Sequence, residues 1–338
     1  MNAAALPHHV PLTVALRGGH PENIHYGSLA VVDAQGQLLA SVGDVDSPLF
    51  TRSALKPFQA MPLIACSAER DALEDADIAL LCASHSGEPM HVERVAALLA
   101  RIGAGEAELA CGSHVPFFFA ANGQSPAPGA VFTRLHHNCS GKHTGMLMLA
   151  HALGQPLAGY LAPQHPVQEA IAASVSHFTG MPVDQLVRGT DGCSAPNHAV
   201  PLRALAHAFA RLTMEQPDAV YGTAPIRTAR AMSRHPELVS GQGRNDLALM
   251  RAGRGDWVSK VGADGVQAIA SFSRGIAIAA KVSDGGLAPL MVAVVSALDQ
   301  LGWLDAEHRK ALASLIPPPL KNAAGIEVGE MQAVLKLG

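Results

Sequence analysis

The sequence predicts an α/β protein: a mainly antiparallel sheet assembled from both ends of the chain, with helices packed on it and a helical region inserted between. Three observations carry this prediction. β-rich segments joined by a tight turn open the chain, similar segments return after residue 257, and helix-like spacing of apolar residues fills the interval from about 53 to 255. No internal repeat or low-complexity linker interrupts the 338 residues, so residues 1–338 read as one domain whose sheet comes from about 10–50 and 257–338.

Residues 12–16 and 28–33 are rich in leucine, valine and alanine, and Ala34-Gln35-Gly36 turns the chain into a return strand at about 37–43. Residues 53 to about 68 read as a helix through Leu55, Met61, Leu63 and Ile64, with Pro57 and Pro62 restricting its start or kinking it. Apolar spacing places further helices at about 89–102, 143–153, 165–178, 201–212, 217–234 and 245–252. Strands follow at about 257–261, 266–272 and 275–282, helices at about 288–302 and 305–315, and a closing strand at 333–337.

Hydrophobic residues make up 49% of the chain and charged residues 15%, enough apolar material for a sizeable core. Aromatics are only 4%, so that core is packed from small aliphatic side chains. A net charge of −4 without a basic block argues against nucleic acid or an anionic membrane as partner. Residues 1–11 lack the basic region and apolar run of an export signal, and no stretch approaches the roughly 20 apolar residues of a membrane helix, so a cytoplasmic location is expected.

The five cysteines, Cys66, Cys82, Cys111, Cys139 and Cys193, are odd in number and irregularly spaced, unlike a disulfide framework. Cys66 and Cys82 sit in apolar runs and read as core. Cys139 and Cys193 lie in loops rich in glycine, serine and asparagine, where packing does not explain them. Together they could hold zinc, with His136, His137 or His143 as the expected third ligand, or they could be loop cysteines without metal.

Lysine is the scarcer cation, 7 against 17 arginines, and only four lysines precede residue 282. Three of those four, Lys56, Lys142 and Lys260, stand in polar clusters. Lysine differs from arginine in that burial or a neighbouring cation can remove its proton, leaving an amine that acts as a base or a ligand. Ser53-Ala54-Leu55-Lys56 places a hydroxyl and an amine one helical turn apart on one face. An ordinary lysine is neutral in only about one molecule in 2,500 at pH 7, so a lysine base needs burial plus a second cation, for which Lys260 is available. Ser53-x-x-Lys56, then Ser84-His85-Ser86-Gly87, then Lys260-Val261-Gly262 approximates, in order, the three elements of serine acyl-transfer enzymes acting on β-lactams.

Four longer motifs, residues 51–59, 82–88, 137–143 and 189–196, together resemble the rhizobial-type L-asparaginase II family over about residues 10–335. The resemblance implies hydrolysis of L-asparagine to aspartate and ammonia, a fold similar to serine β-lactamases and glutaminases, and a homodimer. It implies two serine–lysine pairs, Ser53 with Lys56 and Ser84 with Lys260. It also implies one zinc ion held by Cys139, Lys142 and Cys193, in place of a histidine ligand, and assisting substrate binding more than chemistry. Arg52 and Asp191 match positions that line the substrate pocket, and His85 is grouped with them as a candidate substrate contact. Two other readings compete: acyl-enzyme chemistry on a β-lactam or peptide, and a non-catalytic zinc-binding protein that leaves the serine–lysine motifs unexplained.

Overall fold

The computed structural model describes residues 6–66 and 72–338. Eleven strands form two antiparallel sheets: β1 (Val10–Arg17), β2 (His20–Asp33), β3 (Leu38–Val42), β4 (Pro48–Phe50), β5 (Val187–Thr190), β6 (Pro196–Pro201), β7 (Trp257–Gly262), β8 (Val266–Ser271), β9 (Ile276–Val282), β10 (Leu320–Lys321) and β11 (Glu327–Ala333). The large sheet runs β10-β11-β1-β2-β9-β8-β7, with β3 also paired to β2. Its central neighbours, β2 and β9, come from opposite ends of the chain, joined from Gly27↔Val282 to Asp33↔Ile276. The small sheet, β4-β6-β5, was not foreseen.

Side chains alternate across the large sheet with period two. Ala30, Val32, Ala268, Ala270, Ala277 and Ala279 face one core, whereas Leu29, Val31, Ile269 and Ile278 face the other. Both faces are therefore covered, and the central strands read as continuous apolar runs.

The helices are α1 (Lys56–Ala65), α2 (Asp75–Leu81), α3 (Pro89–Arg101), α4 (Phe117–Ala121), α5 (Ser140–Ala152), α6 (Pro166–Thr179), α7 (Leu202–Leu212), α8 (Ala224–Arg234), α9 (Pro236–Val239), α10 (Asn245–Ala252), α11 (Leu287–Gln300) and α12 (Ala306–Leu312). Helix α7 lies on the alanine-rich face of β2, β8 and β9, where short side chains allow close approach. Helix α11 covers β1, β9 and β11 from the other side. Among the described residues, no helix is long and apolar enough to cross a membrane.

Several boundaries differ from the sequence reading. The first helix is a 3₁₀ turn over Arg52–Leu55 followed by α1, which ends at Ala65; the expected end near residue 68 lies outside the described residues. The helix expected from 217 begins at Ala224, because Asp218 and Gly222 pair across a tight turn and Pro225 enters the first turn. The closing strand lies at Glu327–Ala333 instead of 333–337: the amides of Val334 and Leu335 both bond to Leu12 O, which ends the ladder and sends Leu335 into the core. Strand β2 starts at His20, eight residues early, because its polar first half pairs with β1 as a solvent-exposed ribbon.

Helix α1 is fixed by a compensation that the sequence contains. Pro62 has no N–H, so the carbonyl of Phe58, four residues back, loses its helical partner. Ser174 Oγ of α6 donates to that carbonyl at 2.8 Å. Phe58 itself is fully buried against Phe178 and Phe209, with ring centroids at 5.1 and 5.6 Å. Ser174→Ala is expected to cost about 1–3 kcal/mol, the penalty for a buried carbonyl left unsatisfied. Chemical denaturation checks this; an unchanged midpoint would mean that the carbonyl finds another donor.

Candidate active site

Strand β4 leads directly into the turn that carries Ser53, and β5 leads into the turn at Asp191–Cys193. Both strands pair with β6, Phe50 with Ala199 and Thr190 with Pro196, so the small sheet sets the two turns side by side. Thr51 Oγ1 donates to His198 O at 3.1 Å and locks the first turn to β6. Strand β7 arrives from the large sheet: at Gly262 a Cβ would collide with Thr51 O, so only glycine allows this approach. Gly141 does the same for α5, where a Cβ would strike Leu80 O. That contact brings Cys139 and Lys142 beside the segment carrying Ser84. The result is a cavity of about 650 Å³ lined by, among others, Ser53, Ser84, Cys139, Asp191 and Cys193.

Lys56, the first residue of α1, is fully buried under this cavity. Its Nζ lies 2.6 Å from Ala83 O, 2.9 Å from Ser84 Oγ and 3.2 Å from Cys139 Sγ. The hydroxyl bonded to Lys56 is thus that of Ser84, although Ser53 stands one turn away in sequence. Burial pushes the Lys56 ammonium below the ordinary lysine value, the nearby charge of Lys142 adds to this, and the sulfurs of Cys139 and Cys193 oppose it. Lys142 is thus a second cation beside Lys56, in addition to Lys260, which Lys56 also repels.

Lys260 is equally buried but is held by other groups: Asp246 Oδ2 at 3.3 Å and Val261 O at 3.0 Å. Burial lowers it to about 8, against the pull of Asp246, and Lys56 contributes to the lowering. Asp246 is the hub of a buried network. It accepts from Ser259 Oγ at 2.8 Å, Val261 N at 2.9 Å and Gln267 Nε2 at 3.0 Å. These bonds, with Lys260, keep its carboxyl below the ordinary value despite complete burial.

Cys139, Lys142 and Cys193 converge. Lys142 Nζ donates to Cys193 Sγ at 2.9 Å, and all five cysteines are free thiols. Contact with Cys193, aided by Lys56 and Lys142, holds Cys139 well below the ordinary thiol value, whereas Cys193 is raised. Burial works against the Lys142 ammonium, but the two sulfurs outweigh it and raise its pKa. Two soft sulfur donors and an amine nitrogen suit zinc once Lys142 gives up its proton. Among the described residues, no three of histidine, cysteine, aspartate and glutamate form a metal-holding group. His143 bonds Tyr160 through Nδ1 at 2.6 Å and also interacts with Cys193, and His137 Nδ1 accepts from Cys139 N at 3.0 Å. His136 Nδ1 faces Thr133 N at 3.2 Å.

Arg52 occupies a left-handed backbone conformation (φ 52°), unusual for a side chain of its size. Its Nε donates to Asp191 Oδ1 at 2.8 Å, and its Nη1 reaches Asp264. Two carboxylates already neutralise it. Burial resists ionisation of Asp191, but Lys142, Arg52 and the Gly192 N–H together hold it low. His85 does not meet the expectation of a substrate contact: it is fully buried, accepts from Gly87 N at Nδ1 and reaches Ser140 Oγ with Nε2 at 2.8 Å. Ser140 Oγ in turn donates to Leu135 O, so His85 fixes the loop beneath the site.

The family model for L-asparaginase II matches residues 13–333, nearly the whole chain. No curated protein matches it. Among solved structures, the chain is similar to Mglu in its native form, at 16% identity over 82% of this chain and 61% of that one, with a TM-score of 0.37. It is similar to a putative β-lactamase from Bacteroides dorei at 14% identity, over 81% of this chain and 93% of that one, TM-score 0.42. A β-lactamase from Mycobacterium bovis matches at 14% identity, over 86% and 95% of the two chains, TM-score 0.33. The chain thus spans about 61% of the length of Mglu.

Proposed function

We infer that this chain, which belongs to the L-asparaginase II family, hydrolyses the side-chain amide of L-asparagine to L-aspartate and ammonia, using a serine nucleophile served by a buried lysine. One observation carries the reading: a fully buried amine, Lys56 Nζ, lies 2.9 Å from a serine hydroxyl in a cavity that also presents a second serine. A neutral Lys56 can donate its two N–H groups to Ala83 O and the Cys139 sulfur and accept the Ser84 proton on its lone pair. Ser53 attacks the amide carbon, its proton passing through Ser84 to Lys56. Lys56 returns the proton to the leaving ammonia, and water then cleaves the seryl ester by the reverse relay. A second reading, favoured by the Lys56–Ser84 bond, makes Ser84 itself the nucleophile. Lys260, held by Asp246 at 3.3 Å, is the second buried lysine of this reading. In the same reading the enzyme is cytoplasmic and a homodimer, and sedimentation of the purified protein checks the dimer.

Zinc held by Cys139, Lys142 and Cys193 would orient the substrate as a Lewis acid at the cavity wall. The serine–lysine machinery already provides nucleophile and base, so the metal need not generate hydroxide. Cys139→Ala and Cys193→Ala are each expected to lose the zinc and to raise KM about 10-fold or more, with a smaller change in kcat. Zinc retained in both variants by elemental analysis would remove these cysteines from the site.

Activity that needs a neutral amine rises with pH. Both buried lysines lie below the ordinary lysine value, Lys260 at about 8. The kcat/KM profile is therefore expected to climb through an apparent ionisation well below that of free lysine and to level off on the alkaline side. A flat profile from pH 6 to 10 would contradict a lysine base. The function itself is tested by ammonia release from L-asparagine against L-glutamine, with a chromogenic β-lactam as control. A purified, zinc-supplied protein that releases no ammonia from asparagine would end the reading.

A further inference from the structure

We propose that Arg244 receives the α-carboxylate of the substrate and so restricts the site to free α-amino acids over amides at large. This rests on the asparaginase reading above and deepens it. Two arginines line the cavity, Arg52 and Arg244. Arg52 is neutralised by Asp191 and Asp264. Arg244 has no such partner: among the described residues, no carboxylate pairs with its guanidinium. That group lies over the ring of Phe117, another cavity residue, with 4.9 Å from its central carbon to the ring centroid. Stacking covers a face of the guanidinium and leaves its N–H edge for a planar anion, the geometry of bidentate carboxylate recognition. The neighbouring backbone is anchored on both sides. Arg244 N donates to Gly241 O, Asn245 Nδ2 bonds Gln267 at 2.6 Å, and Asp246 holds Lys260. The arginine is thus presented by a fixed scaffold, half-buried, and lacks a paired carboxylate. Burial alone lowers its pKa, with Asp246 the carboxylate that opposes.

The matching partner for the α-ammonium is Asp191. Asp191 spends Oδ1 on Arg52 and Gly192 N, which leaves Oδ2 without a bond among the described residues. A cation for the carboxylate and an anion for the ammonium, in the cavity that holds both serines, give three-point recognition of an amino acid that carries a side-chain amide. Neither group is a reacting atom, so the contact stabilises ground state and transition state alike and appears mainly in KM.

The experiment compares L-asparagine with 3-aminopropanamide, which is asparagine without its α-carboxylate, on wild type, Arg244→Met and Arg244→Lys. Wild type is expected to favour asparagine by about 100-fold or more in kcat/KM. Arg244→Met should lose about that factor on asparagine, mostly through KM, and lose little on 3-aminopropanamide. Arg244→Lys should recover part of it. Equal losses on both amides would reveal a structural role and overturn the assignment, as would Arg244→Met with wild-type KM for asparagine. Product inhibition of the wild type adds a readout independent of folding: L-aspartate should compete about 100-fold better than 3-aminopropanoate, and equal competition would also overturn it. A wild type inactive on asparagine would instead refute the functional reading on which the proposal stands.

Discussion

Ser53→Ala is expected to lower kcat for L-asparagine about 10,000-fold or more, the scale seen when a serine nucleophile is removed from an acting unit. The fold should survive, because Ser53 sits at the cavity wall and its turn is fixed by Thr51 and Gly262, not by its own hydroxyl. Lys56→Met should be as severe. It keeps the volume that fills the space under the cavity and removes the amine that bonds Ser84. The two effects should not add, since nucleophile and base serve one step. Purified Ser53→Ala with near-wild-type kcat and an unchanged circular dichroism spectrum would move the attack to Ser84.

Asp246→Ala is expected to cost the fold roughly 3–5 kcal/mol, because it leaves a completely buried lysine without its partner. Ser259 Oγ, Val261 N and Gln267 Nε2 lose their acceptor in the same change. Lys260 can relieve part of the cost by giving up its proton, which its value of about 8 already brings close to neutrality. The sign follows: Asp246 raises the lysine pKa, so removing the carboxylate lowers it further. Denaturant unfolding measures the stability loss, and a drop below about 1 kcal/mol would mean that the network repacks or takes up water. Asp246→Asn, which keeps most of the hydrogen-bonding shape, should lose less and should shift the Lys260 ionisation to lower pH.

Much of this architecture is legible in the residues, for identifiable reasons. The second half of β2 and strands β8 and β9 are buried on both faces and announce themselves as apolar runs. The lysines stand out because burial makes each one costly, and Lys56, Lys142 and Lys260 are all nearly or wholly inaccessible. What escaped is non-local. Helix α2 has seven residues, too few for a periodicity signal, although Glu74 and Asp77 cap its start reciprocally and could have marked it. The small sheet joins β4 to β6, about 150 residues later, and nothing in residues 48–50 states that pairing. Asp246 and Arg244 precede and open a helix, where charged residues are ordinary surface features. Only the arrival of β7 beside them turns one into the partner of Lys260 and places the other at the cavity. The pairing of Ser84 escaped for the same reason: Ser84 and Lys260 follow motif order, but side-chain direction gives the Ser84 hydroxyl to Lys56 and the Lys260 amine to Asp246.

The most direct test of a serine–lysine amidohydrolase is to catch the acyl group. Rapid acid quench of the enzyme turning over L-asparagine, followed by peptide mass spectrometry, is predicted to find an aspartyl ester on the peptide containing Ser53, in wild type but not in Ser53→Ala. Turnover of asparagine with no ester on Ser53 or Ser84, under conditions in which ammonia is released, would contradict the account.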